Sequence, residues 1–175
     1  MAISKARQEF IRFQVNLLRK RLKIKRYPII MQKLILQEFH NKCLLRYLYL
    51  SDSIDAVSVV DPKSNLCVII VNANKVKKHL LKRLNFSLAH ELGHYILGHH
   101  RYFSNNITSE KVADLEEEAN EFAGLLLVNE SKLRQNKRVD SAQLSDYFFV
   151  SKEVIKIRKQ KTPTDVRDLV NRYYI

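Results

Sequence analysis

Two histidines and a glutamate lie within one short stretch of the chain, His90-Glu91-Leu92-Gly93-His94. Side chains four residues apart on an α-helix project from the same face, so His90 and His94 can bind one metal ion. Zinc accepts imidazole nitrogens at about 2.0–2.1 Å. Glu91 can then reach a water molecule at the metal without binding the metal itself. This spacing predicts hydrolysis assisted by zinc, with His90 and His94 as ligands and Glu91 as the general base.

A third ligand is expected, because a catalytic zinc ion usually takes three ligands from the protein. An acidic helix downstream offers the adjacent Glu116, Glu117 and Glu118. Ala119 and Ala123 lie on the same helical face as Glu116, and small residues allow two helices to approach closely. The helical phase therefore favours Glu116. Without the histidines, the same stretch would suit an ordinary exposed acidic helix.

Three polar residues near these motifs have separate predictions. Asn120 lies one turn after Glu116 and is expected to hydrogen-bond a ligand histidine from outside the metal shell. His99 and His100 would be rotated from His90 by about 180° and 280° if the helix continued. Both are therefore predicted to be solvent-exposed or loop residues.

The bulk composition suits one compact, helix-rich domain. The chain has 175 residues, of which 46% are hydrophobic and 28% are charged, an ordinary globular composition. Only three glycines and three prolines interrupt it, which favours helices with short connections.

The net charge of +13 is compatible with several partners. A basic surface can bind nucleic acid, an anionic membrane or an acidic protein, or it can simply be solvated. Cys43 and Cys67 form no CxxC motif, which fits a reducing compartment. We find no signal-peptide pattern, and no apolar run reaches the ~18 residues of a membrane span. A cytoplasmic location without a membrane span is expected.

Hydrophobic periodicity predicts an α+β fold with a small antiparallel sheet. Helices are expected at residues 2–26, 29–40, 76–97, 110–128, 141–148, 152–160 and 164–173. Strands are expected within residues 44–60 and at 66–71, joined by the turn Asp61-Pro62-Lys63-Ser64-Asn65. Gly98 is expected to end the helix that carries the two histidines. An extended substrate could add to the sheet edge near residues 66–71.

The two core motifs resemble those of the ImmA/IrrE family of metallo-endopeptidases. The resemblance covers roughly residues 50–160 and rests mainly on residues 86–99 and 116–123. Val71-Asn72 and the segment from Phe148 to Ser151 are similar as well. The family has a gluzincin-like core with an HExxH helix followed by an ExxAN-type helix. The resemblance implies that His90, His94 and Glu116 bind one Zn²⁺ per chain and that Glu91 is the base.

The resemblance also implies a function and an organisation. Characterised members act on repressors of mobile elements or stress regulons, so the expected substrate is a cytosolic, repressor-type transcriptional regulator. Residues 1–135, with the basic N-terminal helix, would form the zinc-peptidase core on which the sheet packs. Residues 136–175 would form a C-terminal helical segment, resembling a helix-turn-helix and packed on the core.

One residue in that segment departs from the usual helix-turn-helix pattern and bears on whether the protein binds DNA. The turn position before Val150-Ser151 is commonly glycine in such segments, and here it is Phe149. Phenylalanine is poorly suited to a positive φ, so residues 144–159 are expected to pack differently, and DNA recognition is not favoured. The alternative to a peptidase is a DNA-binding or interaction protein with a structural or vestigial zinc site.

Overall fold

The computed structural model describes residues 3–103 and 107–162, and within these ranges the chain forms eight α-helices and three β-strands. The helices are α1 (Lys5–Arg21), α2 (Met31–Glu38), α3 (Leu81–Leu97), α4 (His100–Phe103), α5 (Ser109–Leu127), α6 (Glu130–Gln135), α7 (Ser141–Phe148) and α8 (Lys152–Lys161). The strands are β1 (Cys43–Leu48), β2 (Ala56–Val60) and β3 (Cys67–Asn72). The α+β class is confirmed. The helix predicted at 164–173 falls outside the described residues.

The sheet is mixed, with the strand order β1-β3-β2. The strands β2 and β3 form the predicted antiparallel hairpin, but β1 pairs with β3 in parallel. The prediction of an antiparallel sheet is therefore wrong for one of the two pairings. Periodicity identifies the residues that form strands, whereas strand direction depends on which edge of β3 the earlier strand joins.

The position of β3 at the centre of the sheet corrects the expected docking edge. Residues 66–71 lie between the other two strands, whereas β2 is an outer strand of the described sheet. The carbonyl of Asp55 accepts a hydrogen bond from the amide of Asn72, and the amide of Asp61 donates to the carbonyl of Leu66. Both groups therefore face β3. Because hydrogen-bonding pairs alternate along an antiparallel ladder, the amides of Ala56, Ser58 and Val60 point away from β3.

The helices α3 and α5 pack directly against each other. A Cβ atom at Gly93 would lie 3.0 Å from Cδ1 of Phe122, so the close approach requires glycine there. Ala119 and Ala123 are fully buried in the same region. The helix α3 ends at Gly98, as predicted, with φ of 73° and an amide that bonds to the carbonyl of His94. It begins at Leu81, because two short 3-10 turns occupy residues 73–80.

The N-terminal helix α1 packs on α5 and is shorter than predicted. It ends at Arg21, and Lys23 has a positive φ of 49°, which stops the helix well before Pro28. Arg19 donates to the carbonyls of Leu125 and Leu126 at 2.8 and 2.6 Å. These carbonyls belong to the last turn of α5, where no helical partner follows.

The helices α7 and α8 form a helix-turn-helix, and the turn corrects our expectation about Phe149. Phe149 adopts the left-handed conformation, with φ of 54° and ψ of 51°, despite its Cβ. Its carbonyl accepts a hydrogen bond from Asn85 Nδ2 at 3.2 Å, which ties the turn to α3. The buried Arg158 of α8 pairs with Glu121 and Glu130 at 2.7 and 3.0 Å. The domain boundary between residues 135 and 136 stays a prediction.

No helix among the described residues has both the length and the hydrophobicity needed to cross a membrane.

Candidate metal centre

Three side chains from α3 and α5 converge on one point, and they are the three predicted ligands. His90 Nε2 lies 2.9 Å from His94 Nε2. Glu116 Oε2 lies 3.2 Å from His90 Nε2, and Glu116 Oε1 lies 3.3 Å from His94 Nε2. The structure brings these residues together, and their role as metal ligands stays a prediction.

The spacing and chemistry of the three donors fit a zinc ion. A tetrahedral ion with ligands at about 2.0–2.1 Å would hold its ligand atoms about 3.3 Å apart, close to the distances seen here. The neighbouring His90 and His94 lower the pKa of Glu116, so its carboxylate is ionised. Burial lowers the pKa of His90, but Glu116 and Glu91 outweigh burial and raise it overall. The cluster thus combines imidazole nitrogens with one anionic oxygen.

Asn120 lies where the sequence predicted a partner for a ligand histidine. Its Oδ1 is 2.9 Å from His90 Nδ1, so the ring can donate its Nδ1–H to the amide oxygen. This bond leaves the lone pair of His90 Nε2 directed at the cluster. The arrangement is the usual way in which an outer group sets the tautomer of a metal-binding histidine.

Glu91 is buried beside the cluster and has a partner that sequence reasoning missed. Ser58 Oγ, on β2, donates to Glu91 Oε2 at 2.6 Å. Burial raises the pKa of Glu91, and the bond from Ser58 offsets only part of that effect. Nothing in the sequence pattern points to Ser58, because only the tertiary fold places β2 against α3.

His99 lies in the turn between α3 and α4, as the loop alternative predicted, but the prediction that it is solvent-exposed is wrong. His99 is fully buried. The left-handed conformation of Gly98 ends the helix, so the phase of α3 cannot be extrapolated to the next residue. His100 is only half-buried, but it lines the cleft beside the cluster rather than facing away.

His99 lies directly behind His94 and is linked to α1. Its Nδ1 is 2.9 Å from His94 Nδ1, and its Nε2 is 3.0 Å from Glu118 Oε2. Arg7 Nη2 donates to the same carboxylate oxygen at 2.6 Å. Burial and the neighbouring His94 lower the pKa of His99 to about 4. Burial raises the pKa of Glu118, but Arg7 and His99 outweigh burial and lower the pKa overall.

The cluster opens into a cleft of about 310 Å³ between α3, α5 and β2. Its walls include the outer strand β2 and two side chains with polar hydrogens, Tyr95 and His100. The cleft is thus bounded by a strand edge on one side and by the three donors and Glu91 on the other. An extended chain could lie along β2 and pass the cluster.

Comparisons with known proteins identify the family of the chain. Residues 61–159 match the model of the IrrE N-terminal-like domain, Peptidase_M78. A search of curated proteins finds no significant match. A solved structure described as a Mycobacterium tuberculosis transcriptional regulator is similar in fold, with a TM-score of 0.57 and 16% sequence identity. The match covers 84% of this chain and 45% of that one. Since the family model matches more than half of the residues, the chain belongs to the IrrE N-terminal-like (Peptidase_M78) family, as its resemblance to ImmA/IrrE proteins predicted.

Proposed function

We propose that the protein is a zinc-dependent endopeptidase with one zinc ion per chain, held by His90, His94 and Glu116. The observation that carries this proposal is the convergence of three donor groups next to the buried carboxylate of Glu91. Structural zinc sites usually have four protein ligands, whereas catalytic sites have three and one open position. The cluster found among the described residues has three members, which favours catalysis over a purely structural or vestigial ion.

The residues around the cluster have distinct roles in this proposal. When bound, zinc supplies Lewis acidity, which lowers the pKa of a water molecule and polarises the scissile carbonyl. Glu91 accepts the proton of the attacking water and returns it to the leaving amine. Ser58 bonds to Oε2 of Glu91, which leaves Oε1 without that bond and able to take the proton. Asn120 orients His90 by accepting its Nδ1–H.

The tetrahedral intermediate of peptide hydrolysis needs a hydrogen-bond donor for its oxyanion. Tyr95 and His100 line the cleft and can donate. Tyr95 already donates to the carbonyl of Asn65 at 3.3 Å. Tyr147 could also donate by residue type, but its ring packs on Tyr27. His100 is therefore our first choice for the donor.

The outer edge of β2 is the proposed site for the substrate backbone. The amides of Ala56, Ser58 and Val60 point away from β3, so an extended peptide can pair with them as an added strand. Ser58 lies at the level of Glu91, which the hydrogen bond between them fixes. A peptide on this edge would present a backbone carbonyl beside the donor cluster.

We place the substrate among cytosolic, repressor-type transcriptional regulators. The support is the resemblance of the two core motifs to ImmA/IrrE proteins, together with membership in Peptidase_M78. The alternative, DNA binding through α8, is disfavoured because Arg158 is buried in ion pairs with Glu121 and Glu130. That guanidinium is not available to a phosphate.

The test is proteolysis of defined substrates by the zinc-loaded protein. Repressors encoded beside the gene are incubated with it, and fragments are identified by mass spectrometry. A proteome-derived peptide library serves as a second substrate pool. We expect cleavage at a single site in one repressor and almost none in casein, with complete loss after chelation. Rapid digestion of unrelated unfolded proteins would contradict narrow specificity. Salt-dependent, sequence-selective DNA binding that survives chelation would favour the alternative.

A further inference from the structure

A line of four polar side chains leads from the surface of α1 to the donor cluster. Arg7 contacts Glu118, Glu118 contacts His99, and His99 contacts His94, with separations of 2.6, 3.0 and 2.9 Å. His99 is fully buried, and Glu118 is only 5% exposed. A buried polar group is costly unless it is hydrogen-bonded, so this line must be internally satisfied.

The chemistry of the line allows one consistent order of donors. A guanidinium can only donate, and an ionised carboxylate can only accept. Glu118 therefore accepts from both Arg7 and His99, which puts the His99 proton on Nε2. The Nδ1 of a neutral His99 then carries a lone pair and must accept. Its neighbour His94 must accordingly carry its proton on Nδ1.

We infer that Arg7, Glu118 and His99 are positioning residues that hold His94 as its Nδ1–H tautomer, with the lone pair on Nε2. His94 Nε2 is the atom that faces His90 and Glu116 in the cluster. Arg7 on α1 thereby orients His94 on α3 through two intervening side chains, those of Glu118 and His99. The part of this inference that concerns metal binding rests on the proposed function.

The role of Arg7 lies outside the part of the chain that the family model describes. The match begins at residue 61, whereas α1 spans Lys5–Arg21. The N-terminal helix of this chain is thus more than a packed basic helix. Asn120 serves His90 directly, while His94 depends on a longer line that reaches a separate helix.

The experiment measures ring tautomers and zinc affinity separately. Nitrogen-15 NMR of the metal-free protein gives the protonated nitrogen of His94 and His99, and chelator competition gives the zinc affinity. The variants are Glu118→Gln and Arg7→Gln, with Arg7→Lys as the conservative rescue. Glu117→Gln and Arg12→Gln are matched controls, since Arg12 pairs with Glu130 away from the cluster. Circular dichroism establishes that each variant is folded.

In the wild type we expect the proton on Nδ1 of His94 and on Nε2 of His99. A glutamine at 118 can either donate or accept, so Glu118→Gln should give mixed tautomers and about 10–100-fold weaker zinc binding. Arg7→Gln should likewise give mixed tautomers and weaker zinc binding, and Arg7→Lys should restore the wild-type tautomers and zinc affinity. A wild-type His94 protonated on Nε2 would overturn the inference. So would a folded Glu118→Gln protein with unchanged tautomers and zinc affinity. Expected tautomers without any zinc binding would support the tautomer assignment and refute the proposed function.

Discussion

Ser58 Oγ donates a hydrogen bond of 2.6 Å to Glu91 Oε2 and so joins the outer strand β2 to the helix that carries the metal-binding motif. The bond fixes the orientation of the proposed base and aligns the strand edge with the donor cluster. A substrate paired with β2 would therefore be in register with the base.

The first prediction concerns this hydrogen bond. Ser58→Ala should lower kcat by about tenfold, equivalent to losing about 1.4 kcal/mol of transition-state stabilisation, because Glu91 is less well oriented. Bound zinc should be unchanged, since the hydrogen bond of Ser58 goes to Glu91 rather than to a predicted ligand. Ser58→Thr keeps the hydroxyl and should retain most activity. Ser87→Ala is the control, because it removes a serine hydroxyl of α3 that bonds to Asp55 rather than to Glu91. Equal kcat in wild type and Ser58→Ala would show that the bond has no catalytic role.

The second prediction concerns the third ligand. Elemental analysis should find about one zinc per chain in the wild type and almost none in His90→Ala, His94→Ala or Glu116→Ala. Glu117→Ala should stay loaded, because Glu116 rather than Glu117 lies beside both histidines. An empty Glu117→Ala protein alongside a loaded Glu116→Ala protein would refute the assignment. Equal zinc in all variants would refute the site.

The third prediction tests the strand edge. Ala56→Pro removes an amide that points away from β3, so it should weaken substrate pairing without removing a bond within the sheet. We expect KM to rise by about tenfold, the effect of losing roughly one backbone hydrogen bond, while zinc content stays the same. Ala56→Val changes the side chain but keeps the amide, so its KM should stay near that of the wild type. An unchanged KM in a folded Ala56→Pro protein would place the substrate elsewhere.

The fourth prediction concerns stability and pH. Burial opposes ionisation of Glu121, but Arg158 and Lys161 outweigh it and lower its pKa. The folded pKa thus lies below the unfolded value of about 4.3, so the pair stabilises the fold above that pH. This stabilisation is lost as the pH falls through the folded pKa. At neutral pH, Glu121→Gln should cost about 3 kcal/mol in urea unfolding, and the difference from wild type should shrink in acid. Glu117→Gln is the control, and a deficit that did not depend on pH would contradict the assignment.

The sequence predicted the local parts of the site well. Helical phase alone selected Glu116, and the structure places it beside His90 and His94. The stop at Gly98 followed from the preference of helix ends for glycine. Each of these predictions depends on residues of a single helix, where the separation of residues in the sequence determines their separation in the structure.

The parts that depend on tertiary contacts could not be predicted in the same way. Ser58 reaches Glu91 only because β2 packs on α3, and Arg7 reaches Glu118 across 111 residues of sequence. The burial of His99 was missed because the chain changes direction at Gly98. The parallel pairing of β1 has the same origin, since strand direction is set by how the chain returns to the sheet.

The most direct test of the account is a paired measurement on Glu91→Gln. Glutamine keeps the shape of the side chain but cannot accept the proton, so zinc content should match the wild type. Turnover of the cleaved repressor should fall by about 10²–10⁴. Loss of zinc from this variant would show that Glu91 is a ligand rather than the base. Full zinc content with undiminished turnover would contradict the proposed mechanism.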